Sequence, residues 1–283
     1  MPVLLALLLV SSLFASEVTL QGKKIHYIST GNAAATLILI HGWACDSTFF
    51  SEQIKPLSAT YRVIAIDLPG HGESQAASTP LTMDLFAQAV EAVRLDAKVV
   101  KPVLIGHSMG AAVARQHARL YPHTDSALIF LDGSIFQLPP GEQDRQRWSE
   151  MITAMAKSFG PANEKAARER AISVFLSSMY SDSTSRELRI QILGKVLATS
   201  PETAEGAMLS MADLNLWRDD AIDLPVLALR AGQRKPPNEV PYLKSLFPRI
   251  QYKFMPGVSH FLMLEKPVEV NAEINTFLRS NKL

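Results

Sequence analysis

The chain has 283 residues, 28 of them Lys or Arg and 27 Asp or Glu, and it contains no long run of either sign. That balance argues against a polyanionic partner such as nucleic acid and points to a small or neutral one. The single cysteine, Cys45, excludes an intramolecular disulfide, so cysteine usage says nothing about the compartment.

The chain opens with "MPVLLALLLVSSLFA", residues 1–15, an apolar stretch of signal-peptide length that is short for a bilayer span. The expectation is a cleaved leader, and hence a secreted or periplasmic protein with no stable membrane span after its removal. An uncleaved membrane anchor is the alternative. No basic residue precedes the apolar run, and Leu13 stands where a small residue is usual before the cleavage site.

From Glu17 the pattern is a hairpin, "EVTL-QGK-KIHYIS", and short apolar runs then alternate with helical segments. The runs are "ATLILIHG", "YRVIAIDL", "KPVLIGHS", "SALIFLDG", "LPVLALRAG" and "IQYKFMPG". Runs this short and continuously apolar suit strands buried on both faces of a parallel sheet. The helical segments between them, such as "PLTMDLFAQAVEAVRLDAK", make the repeat βαβ. The predicted fold is α/β: a mostly parallel, doubly wound sheet over residues 16–133 and 218–283.

The alternation fails between Gly133 and Trp217, where no strand-like run occurs. Trp148, Met151, Ile152, Met155 and Phe159 follow helical spacing, and Ser200 with Pro201 reads as an N-cap followed by proline at the first helical position. Residues 134–217 are therefore expected to form a helical cap insertion. It carries Met151, Met155, Met179, Met208 and Met211, which are either helix-packing residues or an adaptable apolar surface facing a substrate.

The stretch "PVLIGHSMGAAVARQHARLYP" places Ser108 between Gly106 and Gly110, where a buried strand turns into a helix. A GxSxG turn is tight enough to need glycines, and it lifts the serine hydroxyl clear of the sheet edge at a helix N-terminus that favours developing negative charge. Ser108 is the candidate nucleophile; the competing reading is a serine that only caps the helix. A hydroxyl needs a base. His260, in "GVSHFLMLEKP" beyond the last strand, can reach the elbow from the C-terminal sheet edge. His107 is expected to point away from the nucleophile, His41 to order the loop after the first sheet strand, and His71 and Asp67 to shape a turn. Cys45 is read as a small packing residue.

The blocks "LILIHGWACDSTFF", "VIAIDLPGHGES", "VLIGHSMGA" and "MPGVSHFLMLEKP" resemble those of the α/β-hydrolase superfamily, in particular its small serine esterases of the pimeloyl-carrier-protein methyl ester esterase and haloperoxidase-like branches. The resemblance implies a Ser–acid–His triad and an oxyanion hole made by the main-chain N–H groups of Trp43 and Met109. It also matches His260 to the family's catalytic histidine. The usual acid position, just past the strand "PVLALRAG", carries no carboxylate, since Lys235 stands near it. Asp132, at the end of "ALIFLDG", is a place some members use and keeps the order Ser, Asp, His. Glu239 on the nearby loop, or no acid partner at all, are the alternatives.

The expected activity is hydrolysis of a small or medium, largely uncharged carboxylic ester through an acyl-enzyme, with a small-molecule ester as partner. No HExxH cluster and no GxGxxG after a strand suggest a metal or a dinucleotide, so neither cofactor nor metal is expected. Two other readings keep the same pocket: cofactor-free oxygen chemistry driven by the His–Asp pair, and a non-catalytic ligand-binding protein.

Overall fold

A computed structural model describes residues 14–234 and 239–283. The segment read as a leader therefore lies outside the described residues up to residue 13, and so does Lys235. The last two residues of that segment, Phe14 and Ala15, open the first strand, where they pair with Ser29 and Ile28.

Eight strands form one sheet: β1 (Phe14–Leu20), β2 (Lys23–Thr30), β3 (Thr36–Ile40), β4 (Arg62–Ile66), β5 (Val103–His107), β6 (Ala127–Leu131), β7 (Val226–Gly232) and β8 (Ile250–Pro256). Their order is β1-β2-β4-β3-β5-β6-β7-β8; the first two are antiparallel additions and the remaining six run parallel. The β1–β2 hairpin turns at Gln21 and Gly22, both at positive φ, the backbone a two-residue loop needs to follow the strand twist. Every residue of β3, β5 and β6 is buried, as strands covered on both faces must be.

Three helices follow the first sheet strands: α1 (Ser51–Ser58), α2 (Met83–Asp96) and α3 (Met109–Leu120). The chain leaves β3 towards β4 on one side, but leaves β4 for β5 and β5 for β6 in the opposite direction. With right-handed crossovers, that reversal puts α1 on one face and α2 and α3 on the other. It also makes the C-terminal ends of β3 and β5 the switch point of the sheet, where connections diverge and leave a crevice. Ser108 ends β5 at this point.

Between β6 and β7 lie four helices and no strand: α4 (Glu142–Ser158), α5 (Lys165–Ser177), α6 (Arg186–Ala198) and α7 (Pro201–Leu209). Ser200 caps α7, its hydroxyl accepting from the Thr203 N–H at 3.2 Å, with Pro201 in the first turn. The chain closes with α8 (Glu239–Leu246), the single turn α9 (Leu262–Glu265) and α10 (Pro267–Ser280). No described helix is long and apolar enough to cross a membrane.

Two polar groups order the loops beneath the crevice. The buried Asp67 carboxylate takes the Ser47 N–H at 2.7 Å, the Glu73 N–H at 3.0 Å and His26 Nδ1 at 2.9 Å. Burial alone would raise its pKa, but nearby His41 and the hydrogen bonds from Glu73 and Ser47 outweigh that and hold it below the ordinary carboxylate value. His71, fully buried with its ring 5.0 Å from that of His41, has its pKa lowered to about 3 by desolvation, so it is a neutral turn residue.

The two glycines of the serine turn are required by contact rather than by φ. A Cβ on Gly106 would lie 2.3 Å from the Gly110 carbonyl oxygen, and one on Gly110 would lie 2.1 Å from that of Ile40 on β3. These spaces let α3 press against the strand ends. Gly110→Ala is expected to cost about 3 kcal/mol, because backbone must move to admit the methyl group; urea denaturation of the purified variant measures it.

Candidate active site

Ser108 sits at φ +52° and ψ −120°, a conformation L-residues rarely hold, so the elbow is strained. Its backbone is tied on both sides: its N–H donates to Leu131 O at 3.2 Å, and its carbonyl accepts from the Ala111 and Ser134 N–H groups, each at 3.0 Å. The side chain makes no capping hydrogen bond to α3. A serine retained only as a cap would spend its hydroxyl there; this one opens instead into a cavity of about 270 Å³.

His260 lies in the loop between β8 and α9 and is held at three points. Its N–H donates to Met179 O at 3.0 Å, its carbonyl accepts from His107 Nε2 at 3.0 Å, and its Nδ1 lies 2.6 Å from Asp132 Oδ2. With a carboxylate as partner, Nδ1 carries the proton, which leaves the lone pair on Nε2. Nε2 is buried and has no hydrogen-bond partner, so the Ser108–His260 bond is open in this conformation. Both side chains line the same cavity.

Asp132 follows β6 at φ +45°. Its Oδ1 takes the Ala231 N–H at 3.0 Å and lies 3.2 Å from Arg230 Nη1, leaving Oδ2 for the imidazole. Burial pushes this carboxyl up, but the hydrogen bond and charge of His260, the Arg230 charge and the Ala231 amide prevail and keep its pKa below the ordinary value. Glu239, the alternative acid, is turned elsewhere: its Oε1 lies 3.1 Å from Arg230 Nε, and its Oε2 accepts from the Tyr252 hydroxyl at 2.7 Å.

The loop after β3 meets the elbow directly. A Cβ on Gly42 would lie 3.0 Å from Ser108 Cβ, so Gly42 lets the loop come this close. Cys45 N–H closes a turn on Gly42 O at 3.3 Å, with Ala44 at φ +51°, and such a turn leaves the Trp43 N–H outside its own hydrogen bond. Met109 opens α3, where first-turn amides have no partner within the helix. His41 orders the loop as a neutral imidazole: Nδ1 donates to Gly42 O at 2.8 Å, Nε2 accepts from Leu68 N–H at 3.0 Å, and desolvation lowers its pKa. The Trp43 side chain ties the loop to α7, donating from Nε1 to Ala204 O at 2.7 Å, and packs on Phe159 and Phe175.

One expectation is corrected. His107 does not point away from the site; it lines the cavity, with its ring centroid 4.7 Å from that of His260. Its ring stays near the elbow, since a Cβ on Gly42 would lie 3.0 Å from Ser108 Cβ and 3.1 Å from His107 Nδ1, and the β8–α9 loop folds over the same sheet edge and meets it. Desolvation and the adjacent His260 lower its pKa to about 3, so it is a neutral donor from Nε2. Cys45 also lines the cavity, yet burial pushes its thiol far above the range in which it ionises near neutral pH.

The cavity roof comes from the inserted helices: Ile152 and Met155 from α4, Leu176 from α5, Val196 from α6 and Met208 from α7. Of the five methionines on the insertion, Met155, Met179, Met208 and Met211 face the cavity, and Met151 is exposed to solvent. The charged side chains among its lining residues are Asp132 and Arg230, joined by the titratable His260. Arg230 escapes a reading of the sequence because nothing in "LALRAG" marks its side chain as turned towards a carboxylate on the next strand.

A buried serine on a strained elbow, a carboxylate-bound imidazole beside it and a parallel sheet with a helical insertion together describe a hydrolase scaffold. The chain belongs to the alpha/beta hydrolase family, whose model matches residues 37–273. Among its relatives is the dihydrolipoyllysine-residue acetyltransferase component of the acetoin cleaving system from Pseudomonas putida, 26% identical over 265 residues, covering 92% of this chain and 68% of that protein. The pimeloyl-[acyl-carrier protein] methyl ester esterase of Xylella fastidiosa is 29% identical over 214 residues, covering 74% of this chain and 79% of that enzyme. Among solved structures, an esterase from Rhodococcus sp. ECU1013 superimposes with a TM-score of 0.74 at 26% identity, covering 95% of this chain and 99% of the other.

Proposed function

We propose that the protein is a serine hydrolase that cleaves a small or medium, largely uncharged carboxylic ester through an acyl-enzyme. Ser108 Oγ attacks the ester carbonyl while His260 Nε2 takes its proton, giving a tetrahedral intermediate whose oxyanion is held by the Trp43 and Met109 N–H groups. The imidazolium then passes that proton to the departing alkoxide, and the C–O bond breaks. Water repeats the sequence on the acyl-enzyme, releasing the acid and restoring Ser108. Asp132 keeps the proton on Nδ1 and balances the imidazolium.

The observation that carries this reading is the 2.6 Å Asp132–His260 hydrogen bond, which leaves the Nε2 lone pair without a partner on a histidine that lines the same cavity as an uncommitted serine hydroxyl. The open Ser108–His260 bond is compatible with it, because such bonds often tighten only once substrate is seated. The esterase relatives support the same chemistry.

Cavity size and lining bound the substrate. A cavity of about 270 Å³ lined mostly by apolar side chains suits a short or medium uncharged acyl group. With an apolar roof, turnover of p-nitrophenyl esters is expected to rise from acetate to a short or medium acyl chain and then to drop at least about tenfold for dodecanoate. A flat profile across the series, or no hydrolysis of any member by folded protein, would refute the assignment.

A further inference from the structure

The proposed triad acid, Asp132, directly follows β6, whereas β7, next to it, carries a cation, Arg230, two residues before its end. Asp132 N–H donates to Leu229 O at 2.8 Å, which stitches the acid's backbone to β7 one residue before Arg230. The Arg230 guanidinium then reaches Asp132 Oδ1 with Nη1 at 3.2 Å and Glu239 Oε1 with Nε at 3.1 Å. Glu239 is held from its other side by the Tyr252 hydroxyl on β8, at 2.7 Å. A line of contacts therefore runs Tyr252, Glu239, Arg230, Asp132, His260, hydrogen bonds at its two ends and ion pairs on either side of Arg230. Its last member is the 2.6 Å contact to the imidazole.

We infer that Arg230 is a positioning residue of the active site: it fixes Asp132 Oδ1 so that Oδ2 stays aimed at His260 Nδ1, and it keeps two neighbouring carboxylates from repelling one another. The inference rests on the hydrolase reading above. Two features make Arg230 more than a surface ion pair. Its side chain is about two-thirds buried, at 31% exposure, and Asp132 is almost wholly buried, at 10%, so water screens their contact weakly. In addition, Asp132 sits at φ +45° after a strand end, where few backbone contacts other than Ala231 N–H restrain its carboxylate. Without the guanidinium, Glu239 would bring an uncompensated charge towards Asp132, and both carboxylates would swing apart.

The test compares Arg230→Met and Arg230→Lys with the wild type on one p-nitrophenyl ester. Losing one charge-assisted contact behind the imidazole is expected to lower kcat by about ten- to a hundredfold in Arg230→Met, with KM within about threefold of wild type. Arg230→Lys, which keeps the charge, is expected to recover most of kcat. The downfield proton NMR signal of His260 Nδ1–H should be lost or moved in the Met variant and retained in the Lys variant. A scaffold role alone would not move that signal independently of the melting temperature.

The inference is overturned if Arg230→Met keeps kcat within twofold, or if its loss tracks unfolding with an unchanged His260 signal and no recovery in Arg230→Lys. If wild-type protein neither hydrolyses esters nor reacts at Ser108 with a fluorophosphonate, the hydrolase reading fails and this inference falls with it. A wild type that hydrolyses normally beside an unaffected Arg230→Met variant refutes the arginine's role alone.

Discussion

Ser108→Ala is expected to reduce ester turnover by on the order of a million-fold, to the residual rate that oxyanion donors and binding supply alone. The size follows from the role: once the attacking atom is gone, the base, its acid partner and the elbow strain have nothing to act on. Stability should change little, within about 1 kcal/mol, because the hydroxyl caps nothing and the turn is held by Ser108's backbone bonds to Leu131, Ala111 and Ser134. Kinetics and thermal unfolding on the same preparation check both halves. The experiment also separates two chemistries that share the pocket, since base-driven oxygen chemistry would use the His260–Asp132 pair and survive loss of the serine.

The second large effect is expected from Asp132→Asn, a loss of about ten-thousandfold in kcat with the fold intact. Asparagine can keep its carbonyl oxygen where Oδ1 now meets Ala231 N–H at 3.0 Å and Arg230 at 3.2 Å. Its amide nitrogen then replaces Oδ2 and donates towards His260 Nδ1. A donor there requires Nδ1 to be the lone-pair nitrogen, so the proton moves to Nε2 and the imidazole faces Ser108 with a hydrogen instead of a base. The variant should therefore lose kcat with much less change in KM, and its crystal structure should show His260 in place. Retention of more than about a tenth of wild-type activity would mean that Asp132 is not the acid, or that no acid is needed.

Much of this architecture can be read from the residues in order. The parallel strands were legible as short apolar runs, continuously buried in β3, β5 and β6 and alternating only in β8, the edge strand, where one residue of seven is buried. Ser108 and His260 were legible because strand, glycine turn and helix, and a histidine beyond the last strand, are local signals. Asp132 was harder, reached only through the missing carboxylate near Lys235 and through chain order, and Glu239 stayed open beside it. What separates them in space is Arg230, to which Glu239 is turned. That is a through-space contact between a helix start and a strand end, and no spacing in the chain encodes it.

The same limit explains His107 and the hairpin. Alternation along β5 says His107 leaves the serine's side, but not that the β8–α9 loop will come over and use its Nε2. "FASEVTL" carries the end of a hydrophobic run into the start of an alternating one, so β1 begins at Phe14 rather than Glu17. On the insertion, helical spacing found the methionines without saying which face looks inward. Met151 and Met155 are four apart on α4, yet Met151 is 58% exposed while Met155 lines the cavity.

The central claim is that the Ser108 hydroxyl is a nucleophile activated by His260. Fluorophosphonate labelling of purified protein, read by intact mass and peptide mapping, addresses it most directly. One adduct per chain, located on Ser108 and strongly reduced in both Ser108→Ala and His260→Ala, is the expected result. Folded protein that stays unlabelled, or that is labelled equally well without His260, would contradict it.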